Sequence, residues 1–533
     1  MPRRSRSGSK CTTGWVRSRG HGTLAFAAVI LLLTSTGPAH AAYHALEELP
    51  VEDRLYRDIE DVAASYGLGA GFHETRPWDR ADLRAFLDSL GARAPESASD
   101  PAVRRLRRQL SPEPGGWEPL IHGRTDDRDL ELSPYIRSDF SEDRARRMVD
   151  RDFRGGLAAS AAIGEGALFD SDVYAGTLSP GPHGNPTNSR RFGLIEGVQL
   201  NSYFDRAYVT LRGRFGRLHA GHTWLRWGPG VTGGLALSDG ARAFDLVEFR
   251  VPIVRPLQLV WFLASLDPVQ QTYLAGHRVE ARPWASVDCS FAELARFDGT
   301  STAPLYLVPV IPYAHYEKRL IKSSDLATTG RDSLFKNNVM WSADVVWRAC
   351  RNARVYGELV VDDLSFSGQY RPTAIGWQLG GHWRQRLGGD AVSARLEYSR
   401  VYRFTYSSYH HHDFVFAGFP TGYPLGPDVE RSWAALSYDR GSDVSVGIEG
   451  SYTRKGESTV GDAWYPGSGR VDNLELSGVV DKDLRGALSI RWAPSPALAL
   501  NASGGWAAIT DLDHRAGNDR SGAFGAAGLF VRW

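Results

Sequence analysis

The chain has 533 residues, 57 of them glycine, with 11% aromatic residues, a mean hydropathy of −0.31 and a formal net charge of +1. A near-neutral balance provides no electrostatic footprint for nucleic acid, and no nucleic-acid partner is expected. The hydropathy excludes a polytopic helical membrane protein but permits a membrane barrel with a polar lumen.

The first elements are those of export. Arg3, Arg4, Arg6, Lys10, Arg17 and Arg19 form a basic region, Leu24 to Leu33 is apolar, and Ala39-His40-Ala41 is an A-x-A cleavage site. Residues 1–41 therefore read as a signal peptide, its apolar stretch too short to span a bilayer. Cys11 precedes that stretch and is no lipoprotein acylation site. Cleavage leaves Cys289 and Cys350, whose pairing the sequence leaves open.

Residues 42–116 carry helical spacing. Leu55, Ile59 and Val62 predict a helix over 53–66. Leu83, Phe86, Leu87 and Leu90 predict a second over 79–90, with Asp79 as its N-cap. Pro101, after Asp100, opens a third that runs to Leu110. Its Arg104, Arg105, Arg107 and Arg108 are expected to form a solvated face. Ser111 to Gly116 reads as a linker.

From about residue 117 the period changes to two. Val209, Leu211 and Phe215 alternate with Thr210, Arg212 and Arg214; Val339, Trp341, Ala343, Val345 and Trp347 alternate with Ser342, Asp344 and Arg348; Val444, Val446, Ile448 and Tyr452 alternate with Ser445, Glu449, Ser451 and Thr453. The last strand closes on Trp533, the kind of aromatic end that barrel-assembly machinery reads. Long strands with one apolar and one charged face are the signature of a transmembrane barrel. The expected fold is all-β: a large antiparallel transmembrane β-barrel of about 18 strands over residues 117–533, with a small N-terminal α-helical periplasmic segment. The helices of 42–116 are expected to cover the inner mouth of this barrel. The charged strand face needs water, so it lines the lumen, where Arg and carboxylates pair across strands.

Three local patterns stand out. Arg226-Trp227-Gly228-Pro229-Gly230 runs into Leu235 to Arg242; Tyr356-Gly357-Glu358 leads to Asp362-Asp363; His410-His411-His412-Asp413 precedes Gly422 to Asp428. In this order they resemble the Wzi family of outer-membrane capsule-assembly proteins. The resemblance implies a barrel with a small periplasmic helical part that binds surface polysaccharide and helps retain capsule. The chain departs from the family pattern at Arg226, before a single Trp227, and at Asp239-Gly240, where relatives often carry Asn.

Read by their own chemistry, Trp227 beside glycines offers a stacking face to a sugar, and Arg226, Asp239 and Arg242 bond hydroxyls or a uronic carboxylate. The alternative is a loop folded into the lumen and held by salt bridges. His410, His411, His412 and Asp413 form a polar loop suited to glycan; no Cys or E-x-x-H partner supports a metal. Glu358 and Asp362 share a strand face but lie about 13 Å apart by rise, too far for a glycosidase pair, and are assigned to a lumen charge network with neighbouring arginines. No nucleophile-elbow or phosphate-loop motif occurs in convincing context. The expected function is a lectin-like, non-enzymatic outer-membrane barrel without cofactor or metal. Its expected partners are surface polysaccharide, outer-membrane lipid and lipopolysaccharide, and the barrel-assembly machinery. A porin-like diffusion channel and an outer-membrane hydrolase are the alternatives.

Overall fold

A computed structural model describes residues 44–51, 54–67, 72, 74–110, 120–125, 127–177, 190–195, 198–254, 256–299, 303–309, 311–315, 337–364, 372–408, 411–465, 471 and 473–532. The signal peptide, the linker, His410 and Trp533 lie outside the described residues.

Eighteen strands close into one antiparallel barrel. They are β1 (Arg128–Asp143), β2 (Met148–Ile163), β3 (Ala167–Gly176), β4 (Val198–Gly213), β5 (Gly216–Thr223), β6 (Phe244–Val254), β7 (Leu257–Asp267), β8 (Thr272–Trp284) and β9 (Val287–Asp298). The ring continues through β10 (Asn337–Cys350), β11 (Ala353–Asp363), β12 (Ala374–Leu387), β13 (Asp390–Val401), β14 (Val429–Arg440), β15 (Val444–Lys455), β16 (Asp481–Ser495), β17 (Leu498–Thr510) and β18 (Arg520–Arg532). The seam joins β18 to β1, from Phe524 opposite Asp143 to Arg532 opposite Tyr135. Ile121–Arg124 pairs with the start of β1, and Arg190–Ile195 pairs with β4, as short additional strands.

The predicted alternation sets the two faces. Trp341, Val345 and Trp347 of β10 point outward, while Ser342, Asp344 and Arg348 are buried inside. An outward apolar belt is what a hydrocarbon layer requires of a closed sheet. Phe215, Trp284, Trp347, Trp383, Tyr438 and Trp492 are exposed close to short turns at one end of the barrel, an aromatic girdle suited to a membrane interface. At the other end the connections are long, notably 224–243, 299–336, 402–428 and 456–480. Cys289 and Cys350 are both free.

Inside, the charged faces pair across strands as expected. Arg278 bonds Asp344 at 2.6 Å and Glu280 at 3.1 Å, and Arg348 bonds Asp288 at 2.8 Å. Each guanidinium is buried, so its charge is tolerated only because carboxylates complete it.

The helical segment packs into the short-turn end. It comprises α1 (Leu55–Tyr66), α2 (Arg80–Arg93) and α3 (Pro101–Arg108). Asp79 caps α2 in a capping box with Asp82, and Asp100 caps α3 by accepting from Ala102 N. Leu55, Ile59, Val62, Leu83, Phe86, Leu87, Leu90, Val103 and Leu106 share a small core among the three helices. These helices are too short to be stable alone, and their polar faces are satisfied by the barrel. The arginines of α3 correct the solvated-face expectation. Arg105 bonds Asp58 and Asp439, each at 2.7 Å; Arg108 bonds Asp443 at 2.7 Å and the Pro494 carbonyl at 3.1 Å. Only Arg107 among these arginines is exposed. Their acidic partners on the barrel lie more than three hundred residues downstream, which spacing within the helix does not reveal.

Two buried carboxylates are expected to make this docking pH-sensitive. Glu48 and Asp79 face each other in a β-bridge. Burial pushes Glu48 up to about 7, against the pull of Arg217, and Asp79 up to about 6, with Asp82 adding to the effect. A raised carboxylate stabilises the docked state fully below its ordinary value, and that contribution is lost as pH rises through the docked-state value. Burial acts on Asp61 too, but Arg395, His382 and Arg384 outweigh it and hold this carboxyl low, so its contribution persists down to ordinary carboxylate values. Docking is therefore expected to weaken between pH 5 and pH 8, by on the order of 3 kcal/mol from Glu48. Limited proteolysis of the folded protein at both values checks this; equal cleavage rates within 44–110 would refute it.

Candidate functional site

The Arg226–Gly230 turn does not lie on the outer surface. The connection 224–243 folds into the lumen, where Arg226–Trp227 forms a two-stranded sheet with Thr75–Arg76 of the helical segment. Gly228 N donates to the Glu74 carbonyl at 2.9 Å, and Trp227 N to the Leu237 carbonyl at 3.0 Å. Gly228 has φ +106°, and a Cβ there would collide with the Glu358 carboxylate. Only glycine combines that backbone with so close an approach.

Trp227 has no accessible surface. It meets Phe262 edge-on, with ring centroids 5.3 Å apart, and Arg278 lies over its ring at 5.9 Å. This corrects the stacking expectation: the ring is a core residue of the plugged lumen. Arg226 is also buried; it bonds Asp239 at 3.2 Å and donates to the Gly230 carbonyl, so this charge pair is consumed inside the turn. The folded-in alternative describes these residues.

Glu358 and Asp362 do share the lumen face of β11. Both carboxylates accept hydrogen bonds from loop backbone amides. Glu358 accepts from Leu235 N at 2.7 Å and Ala236 N at 3.3 Å; Asp362 accepts from Tyr406 N at 2.7 Å. Glu397 of β13, which the motifs do not flag, accepts from Val231 N at 2.5 Å and from Thr232 N at 2.9 Å. The strand carboxylates thus hold loop backbone that would otherwise be buried without partners.

The third pattern joins the same unit. Tyr406 Oη donates to the Leu235 carbonyl at 2.7 Å, and Ser238 N to the Thr421 carbonyl at 2.8 Å. A Cβ on Gly233 or Gly240 would run into Pro424. Leu235, Leu237, Phe244, Tyr406, Phe414 and Tyr423 share one apolar cluster with Trp227. Three patterns drawn from distant parts of the chain therefore build one packed plug.

The plug leaves other predicted residues nearer the long-loop end. Arg242 is half-buried over the Phe419 ring at 5.6 Å. His411 is exposed with φ +63°. His412 Nε2 lies 3.0 Å from Asp298, and Asp413 accepts from Ser408 N at 2.7 Å. Arg296 ties this loop to β9 through the carbonyls of His411, at 3.1 Å, and Asp413, at 2.5 Å. The three described residues of this group do not converge on one point with Arg226 and Trp227. Among the described residues, Asp58, Asp61 and Asp439 bring carboxylate oxygens together, but each is engaged by arginine.

Residues 145–293, which include the first motif, match the family model described as capsule assembly protein Wzi. The resemblance to the Wzi family holds. Among solved structures, the Escherichia coli Wzi outer-membrane protein, described as a carbohydrate-binding β-barrel involved in group 1 capsule assembly, aligns over 92% of this chain and 99% of its own. The identity is 14% and the TM-score 0.60, a likeness of fold. OccAB1 of Acinetobacter baumannii aligns over 77% of this chain and 97% of its own, at 12% identity and TM-score 0.44. OprD of Pseudomonas aeruginosa aligns over 76% and 93%, at 10% identity and TM-score 0.41. No curated protein matches this chain in sequence. The Wzi-like segment supplies the lumen turn, whereas the β11 carboxylates and the 402–428 loop that hold it lie outside the matched residues.

Proposed function

We propose that this protein is an outer-membrane barrel that binds surface polysaccharide at its long-loop end and assists capsule or exopolysaccharide assembly, without catalysing a reaction. The observation that carries this reading over a diffusion channel is the filled axis. The helical segment from one end and the 224–243 loop from the other meet in a shared sheet, and the 402–428 loop packs over them. A porin needs a continuous aqueous bore. A binder needs a rigid scaffold that presents loops, which a packed plug provides. The Wzi resemblance, and the carbohydrate-binding description of the Escherichia coli Wzi protein, support the same reading.

Short turns belong to the periplasmic side of bacterial barrels and long loops to the outside. The helical segment is accordingly periplasmic, and Arg242 and the His411–Asp413 loop lie toward the external rim. Outer-membrane lipid and lipopolysaccharide would surround the apolar belt, and barrel-assembly machinery would insert the chain.

Two measurements on the purified full-length protein test the reading. Binding of the source strain's surface polysaccharide is expected without release of smaller fragments. In planar bilayers, no large stable conductance is expected. Stable conductance without polysaccharide binding would replace this reading with a channel, and fragment release would make the protein a hydrolase.

A further inference from the structure

At the long-loop end, Arg403 and Phe404, residues 457–465 and Ser477 and Gly478 line an open recess of about 560 Å³ that contains none of the predicted glycan residues. Its frame is fixed by buried Asp428. The Asp428 carboxylate accepts from Ser477 Oγ at 2.5 Å and from Ser458 N at 3.2 Å, and its backbone has φ +58°. Gly461 N donates to Ser407 Oγ at 3.0 Å, tying the two walls together.

The functional groups within this frame are complementary in kind. Tyr465 is 47% exposed, so an aromatic face is open to solvent. Arg403 stacks on Phe404, 4.7 Å from its ring centroid, and its buried Nε has no hydrogen-bond partner. Among the described residues, no carboxylate forms an ion pair with it. Opposite, Glu457 is oriented by Val479 N at 2.9 Å and Asp462 by Thr459 N at 2.8 Å. An oxygen of each carboxylate still has room to accept.

We propose that this recess is a subsite for a neutral pyranose residue of the polysaccharide, a reading that rests on the proposed function. A pyranose presents a C–H face and a rim of hydroxyls. Tyr465 takes the face, Arg403 donates to ring or hydroxyl oxygens, and Glu457 and Asp462 accept from hydroxyls. Two carboxylates against one guanidinium leave the recess with a formal charge of −1, which disfavours a uronate through like-charge repulsion.

The test uses the full-length protein, the source strain's purified polysaccharide, and the same polymer after chemical reduction of its carboxyl groups. Tyr465→Ala and Arg403→Ala are each expected to weaken binding about ten-fold, whereas Tyr465→Phe retains it. The Tyr465 dependence is expected to survive carboxyl reduction. Heat-modifiable gel mobility checks that each variant is folded; both side chains lie in loops outside the strand ladder. Wild-type affinity in folded Tyr465→Ala and Arg403→Ala would overturn the subsite but leave the proposed function intact. Tyr465 dependence that disappears on carboxyl reduction would overturn the neutral assignment. No binding by the wild-type protein would overturn both readings.

Discussion

Arg384→Ala is expected to release the helical segment while leaving the barrel closed. Arg384 is fully buried on β12 and bonds both oxygens of Asp100, at 2.7 and 2.8 Å, and Ser65 Oγ at 2.9 Å. Its Nε also lies 3.6 Å from Asp61. Asp100 is the N-cap of α3, so one guanidinium joins the barrel wall, the end of α1 and the start of α3. Removing one partner of a buried ion pair costs about 3–5 kcal/mol, because the other charge remains desolvated. The barrel ladder does not depend on this side chain. Trypsin should therefore cut the variant within 80–110, with the heat-modifiable barrel core retained. Arg384→Lys should be intermediate, since it preserves charge but not the two-pronged contact. Protease resistance equal to wild type in Arg384→Ala would show that other contacts hold the segment.

Trp227→Ala is expected to be the most damaging single change in the plug. It empties a fully buried aromatic site against Phe262, and large-to-small aromatic changes in cores cost about 3–5 kcal/mol. The expected readouts are a lower unfolding temperature and the appearance of conductance steps absent from wild type, as the 224–243 loop loses its fixed position. Trp227→Phe should recover much of both. Reduced polysaccharide affinity in a variant with wild-type melting and conductance would instead restore a direct contact between this ring and sugar.

Much of this architecture is written locally. Alternation in segments such as 339–348 assigns each residue to lipid or lumen, and Asp79 and Asp100 identify their helix starts by the spacing that makes them caps. Parity alone places Glu358 and Asp362 on the lumen face. Their partners are not local. Whether Glu358 meets an arginine or the amides of Leu235 and Ala236 depends on a loop that enters the barrel from far earlier in the chain. The same ambiguity hides Trp227: a tryptophan among glycines and proline has the local pattern of an exposed turn, and its burial follows from acceptors supplied by β11 and β13. Tyr465 and Arg403 sit in no recurring pattern at all. Only the meeting of two loops brings them to one recess.

The small sheet between Thr75–Arg76 and Arg226–Trp227 also bears on communication across the membrane. Its two halves belong to segments that enter from opposite mouths, and displacement of either breaks the same backbone bonds. The barrel wall is a rigid sleeve, but this contact inside it is a shared equilibrium. If a partner at the short-turn mouth favours withdrawal of the helices, it weakens the anchorage of the 224–243 loop by the free energy it gains from that withdrawal. A ligand that requires the loop in place opposes the same partner by an equal amount, because linkage between two binding events is reciprocal. Occupancy at one mouth of the barrel would then be thermodynamically legible at the other without any movement of the wall.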